Sequence, residues 1–225
     1  MTRYRVHHET KFTYGEPVVT SHNEARLKPR VFGRQTLIAS RLDIDPVPNT
    51  VVWRQDYFGN DVVFFELEKP HDQLVVAGSA EVEVSQVEPP SMDRSPAWEE
   101  VARAVTEERS ELHIDALQFV FDSASVRRSG LLADYAAASF PPGGRLLEGI
   151  THLSHRIFTE FQYDQEATTV ATPIEEVFEN RKGVCQDFAH IMIGCLRSLG
   201  LPGRYVSGYV RPNSVTASKA APAPG

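Results

Sequence analysis

GVCQDFAHIMIGCLRSLG, residues 183–200, decides how the rest of the chain is read. Gly183 stops the preceding segment, Cys185 follows, and an apolar run begins at Phe188. Phe188, Ala189, Ile191, Met192, Ile193, Cys195, Leu196 and Leu199 cover most of a helical circumference, which predicts a buried helix. Gly200 and Pro202 end it. Cys185 then falls in the first turn, against unpaired backbone N–H groups and the positive end of the macrodipole, a setting that favours the thiolate. Two readings follow. Cys185 is a nucleophile, or it is a small apolar residue packed in a core, the commoner fate of cysteine.

The bulk properties narrow the classes open to the chain. Its 225 residues fit one large domain or two small ones. A hydrophobic content of 41% and a charged content of 24% support a sizeable core and argue against wholesale disorder. A formal charge of -7 without a long basic run disfavours nucleic-acid and anionic-membrane partners. Every apolar stretch is far shorter than the roughly 20 residues of a membrane span. MTRYRVHHETKF has no apolar signal-peptide region and reads as a strand, so the cytoplasm is the expected location. On one helix, Cys185 and Cys195 would lie about 15 Å apart along the axis, beyond disulfide reach, which fits a reducing compartment. Two cysteines are too few for a thiolate-only zinc site, and positions 185, 190 and 195 share no helix face. No metal and no cofactor is expected.

Residues 1–88 read as an all-β module. YRVHHETKFTY, QTLIASRLDIDPV, NTVVWRQDYF, NDVVFFELEK and DQLVVAGSAEVEVSQV are rich in β-branched and aromatic residues. YGEP, DPVPN, FGND and KPHD separate them, and Gly59-Asn60-Asp61 between two apolar runs signals a hairpin. This pattern predicts an antiparallel sandwich-like or barrel-like module. Residues 89–95 form a linker, and residues 96–212 a second domain. There Ser95 and Pro96 are expected to open a helix carrying Trp98, Val101, Ala102 and Val105 on one face. GRLLEGITHLSHRIFTEFQY places Leu146, Ile150, Leu153 and Ile157 on one face of another. Thr172, Pro173 and Glu175 predict a capping box on a short helix that ends near Gly183. RYVSGYV (204–210) reads as a strand, and residues 213–225 as a disordered tail.

A buried helix with cysteine at its N-terminus, followed by strands, is a papain-like layout. RKGVCQDFAHIMIGCLRSLGLPGRYVSGYV (181–210) resembles more specifically the core of the bacterial transglutaminase-like superfamily. F-Q-Y-D (161–164) and T-P-I-E-E-V (172–177) match the same pattern. SHNEARLKPR (21–30), DYFGNDVVFFEL (56–67) and PHDQLVVAGSAEVEV (70–84) resemble the β-rich N-terminal module often fused to such cores. The expected fold is therefore α+β: an antiparallel β module, then a papain-like core. The resemblance implies Cys185 as nucleophile, attacking a protein or peptide amide to give a thioester that an amine or water resolves. It places the histidine and aspartate partners on strands after R-Y-V-S-G-Y. The 15 residues 211–225 contain neither, so the chain is expected to lack the last core strands. The alternative is a catalytically inactive interaction module. An uncovered sheet edge is expected to promote self-association.

Other residues carry two readings each. Tyr163 is a candidate oxyanion donor or a core aromatic. Gln186 is a candidate for the acyl pocket. Asp187, in the first helical turn, answers the helix dipole or orders the site. His190 lies about 140° round the helix from Cys185 and reads as a packed or wet position. His152 and His155 read as surface or edge, His7 and His8 as structural, and Cys195 as core.

Overall fold

The structure, a computed structural model, describes residues 1–169 and 171–210; residues 211 and 212 at the end of the expected core, and the expected tail 213–225, lie outside the described residues. The chain divides into two compact units, Met1–Glu88 and Pro89–Gly208, with Tyr209 and Val210 returning to the first.

The first unit contains strands β1 (Thr2–Val18), β2 (Ser21–Ala25), β3 (Gln35–Asp45), β4 (Thr50–Gln55), β5 (Asp61–Leu67) and β6 (His71–Val84). They form two three-stranded sheets, ordered β1-β6-β3 and β2-β5-β4, and every pairing is antiparallel. One cluster joins the two sheets: Ala25, Val63, Phe65 and Leu67 from the second, Leu74 and Val76 from the first, flanked by Tyr14, Leu42 and Ile44. The expected hairpin is present between β4 and β5. The Asp56 carboxylate accepts from the amides of Phe58 and Asn60, and Gly59 takes the positive φ of 75° that the turn demands. The five expected strands are all formed. β2 is an addition, since SHNEA carries no β-branched pattern; it is held by pairing with β5 from Ser21↔Leu67 to Ala25↔Val63.

The second unit is mainly helical: α1 (Trp98–Glu107), α2 (Glu111–Leu117), α3 (Gly130–Ala137), α4 (Leu146–Glu160), α5 (Ile174–Asn180) and α6 (Cys185–Ser198). Two short strands, β7 (Gln162–Tyr163) and β8 (Lys182–Gly183), pair in parallel. The core is built on α6. Ile191 and Cys195 pack with Leu132, Tyr135 and Ala136 of α3, Leu153 and Ile157 of α4, and Ile174, Val177 and Phe178 of α5. Gly194 lets α3 approach closely: a Cβ there would meet Leu132 Cδ1 at 2.7 Å. The molecule is thus α+β, with an antiparallel sandwich-like module ahead of a helical core.

Three expectations are corrected. α1 starts at Trp98 with Ala97 at its N-cap, and buried Ser95 serves a different helix: its Oγ accepts from the amide of Leu147 in the first turn of α4. α5 begins at Ile174 with Pro173 as N-cap and without a side-chain cap, because the Thr172 hydroxyl is engaged by the amide of Thr169. α5 is short and ends near Gly183 as expected, stopping at Asn180 because Arg181 turns left-handed. RYVSGYV forms no strand. Strand propensity is a fit to neighbouring strands, and no described strand pairs with this segment.

Candidate active site

Cys185 is the first residue of α6, and its side chain is exposed. Burial as a small core residue is therefore excluded. Cys195, ten residues on, is fully buried, and burial pushes its thiol up to about 12. Both cysteines are free.

Three local devices hold the Cys185 turn. The first is the two-rung ladder of β7 and β8. Gln162 N–H donates to the Arg181 carbonyl (2.8 Å) and Asp164 N–H to the Gly183 carbonyl (2.9 Å). Tyr163 thereby stands beside Gly183, two residues ahead of the thiol. The second is Asp187, at the third position of the helix and buried. Its Oδ2 accepts from the amide of Val184 (2.8 Å) and from the hydroxyl of Thr168 (2.7 Å). This is half of a capping box: Val184 has no side-chain oxygen to reciprocate, so the N–H groups at the start of α6 keep their orphan character. The third is Gly183. A Cβ at that position would lie 2.6 Å from Asp187 Oδ2, so only glycine lets the carboxylate close over the backbone.

The structure separates the other candidates. Tyr163 is 54% exposed, which removes the core-aromatic reading; Gln165 Nε2 donates to its hydroxyl at 3.2 Å. Gln186 and Asp187 line a cavity of about 270 Å³ with His190, Ser125, Thr172 and Ile174. Cys185 is not among the residues that line it. The His190 ring lies 5.5 Å from that of Tyr205, tilted by 57°, and burial, the largest influence, lowers its pKa against the opposing pull of Asp187. His152 is tied to the Ser139 hydroxyl (3.0 Å). Among the described residues the Cys185 thiol has no hydrogen-bond partner, and no group of three or more His, Cys, Asp or Glu side chains is placed to hold a metal. No described helix is long and apolar enough to cross a membrane. Thr168 was missed from the sequence. It reaches Asp187 from a loop 19 residues away, a distance no local pattern records.

A papain-like α+β core with a thiol opening its central helix is the class that fold and site define. The comparisons sharpen it. The family model for the bacterial transglutaminase-like N-terminal region matches residues 4–83, and that for the transglutaminase-like superfamily matches residues 135–222. An uncharacterized protein of Mycobacterium tuberculosis is 38% identical over 210 residues, covering 92% of this chain and 66% of its own length. One from Mycobacterium leprae is 34% identical over 213 residues, covering 94% of this chain and 72% of its own. The crystal structure of a candidate cysteine protease from Cytophaga hutchinsonii superposes with a TM-score of 0.68 at 17% identity, over 89% of this chain and 64% of that one. The chain belongs to the transglutaminase-like superfamily, with the bacterial N-terminal region at its head. It spans less than two thirds of the Mycobacterium tuberculosis relative and of the Cytophaga protein.

Proposed function

We propose that the chain carries the nucleophile of a transglutaminase-like acyl transfer, and that Cys185 is that nucleophile. The observation that supports this most strongly is an exposed thiol at the first residue of a buried helix, held by a buried carboxylate that binds the preceding amide. The Cys185 sulfur attacks the carbonyl carbon of a carboxamide or peptide bond. The tetrahedral intermediate carries its charge on oxygen, where the first amides of α6 and the Tyr163 hydroxyl are the donors to hand. The C–N bond breaks, the amine leaves with a proton, and a thioester remains. A second amine then gives transamidation, or water gives the acid. A base to take the thiol proton, and an acid to orient that base, belong in this reading to strands after segment 204–210, where the family layout puts them. Such acid–base help contributes about 10² to 10⁴-fold.

A second reading is a transglutaminase-like interaction module without turnover. Intact mass spectrometry and an ammonia-release assay separate the two. With an activated glutamine ester, the 225-residue chain should gain one acyl group, on Cys185, and a Cys185→Ser control none. Unactivated glutamine peptides should show no turnover above that control. Absence of the adduct would favour the interaction module. Amide turnover that Cys185→Ser abolishes would place the base among the eight histidines present.

A further inference from the structure

We infer that Arg181 is a positioning residue for the Cys185 turn, a role that presupposes Cys185 as the nucleophile. Arg181 has φ 54° and ψ 30°, and it is the one non-glycine residue with positive φ among the described residues. It occupies the position just past the end of α5, where glycine or asparagine is the usual occupant because a Cβ is strained there. An arginine in that conformation needs a side-chain reason.

The side chain supplies one. The Arg181 guanidinium carbon lies 4.2 Å from the ring centroid of Phe178, 4.6 Å from that of Phe161 and 5.0 Å from that of Tyr135. Its Nη1 is 3.6 Å from Glu160 Oε2. Phe178 belongs to α5, Tyr135 to α3, and Phe161 and Glu160 to the end of α4, so one guanidinium ties the turn to three helices. A planar cation over aromatic faces is a favourable arrangement that lysine reproduces only in part. The backbone of the same residue is fixed on both sides. Its N–H donates to the Val177 carbonyl (3.0 Å), and its carbonyl accepts from Gln162 as the first rung of the β7–β8 ladder. From that rung the chain runs through Lys182 to Gly183, packs against Asp187 and presents Cys185. Glu160 does not need Arg181 to stay in place, since Arg156 also pairs with it at 2.9 Å and lies 4.0 Å over the Tyr135 ring. What Arg181 alone does is hold its own left-handed backbone, and with it the thiol's position.

Cys195 provides an internal control, because its alkylation requires the core to open. Iodoacetamide rates for both cysteines would be measured from pH 6 to 9 in the full chain, in Arg181→Gly and in Arg181→Lys, with glutathione as the free-thiol reference. Arg181→Gly relieves backbone strain but removes the clamp. It should slow Cys185 at least tenfold at pH 7, with Cys195 still protected. Arg181→Lys should fall between the two. Cys185 rates within twofold of wild type in Arg181→Gly would overturn the inference. So would a parallel rise in Cys195 labelling, which marks a stability role alone. A wild-type Cys185 no faster than glutathione would remove the nucleophile reading itself, and the role of Arg181 with it; this outcome is visible before any variant is compared.

Discussion

Asp187 is bound to two partners that pull on the same carboxylate oxygen, the Val184 amide and the Thr168 hydroxyl. Removing it leaves a half-buried donor unsatisfied at the start of α6. Losing such an acceptor costs about 1–3 kcal/mol. Gly183→Ala attacks the same contact from the other side. Its Cβ would stand 2.6 Å from Oδ2, and overpacking of this kind costs about 1–3 kcal/mol. Denaturant melts should therefore show both Asp187→Ala and Gly183→Ala destabilised in that range. The double variant should lose less than the sum, because either change alone breaks the one contact. Strict additivity would contradict the account. At this scale the sequence was partly legible. An acid three residues into a helix following a glycine is a pattern, and it left open dipole or site as the role of Asp187. The cap on the Val184 amide and the Thr168 contact depend on a loop that no spacing predicts.

Helix α6 itself was readable because its signals are local: an apolar run, then Gly200 with φ 78° and Pro202. The elements that failed depend on distant chain. Ser95 caps α4 across 52 residues, and RYVSGYV has the composition of a strand without a described neighbour to pair with. Instead that segment lays Tyr205 against His190 on α6. The consequence is a pH dependence of known sign. Burial lowers the His190 pKa from its ordinary 6.5; Asp187 opposes the shift and Arg197 adds to it. Above about pH 6.5 the imidazole is neutral in both folded and unfolded chains. Below it the unfolded chain binds the proton first, so stability is lost as pH falls. Across pH 8 to 5, wild type should lose stability relative to His190→Gln, with the divergence starting near pH 6.5. A difference that stays flat, or that favours wild type in acid, would contradict the burial argument.

Over the whole molecule, two levels of organisation were legible for different reasons. Alternating β-branched runs and turn residues mark the first unit even though β2 escaped, because a five-residue strand of polar composition is defined by the partner it pairs with. The second unit is marked by one cysteine-bearing helix, around which α3, α4 and α5 gather their apolar faces. In the second unit, α6 exposes the Cys185 thiol at its start and buries Cys195 in the core. Peptide-resolved iodoacetamide labelling of the intact 225-residue chain at pH 7 tests it most directly. Cys185 should be modified faster than a free small-molecule thiol, and fully before Cys195, whose burial and raised pKa of about 12 keep it silent until the core opens. Equal rates at the two cysteines, or labelling of Cys195 first, would contradict the account.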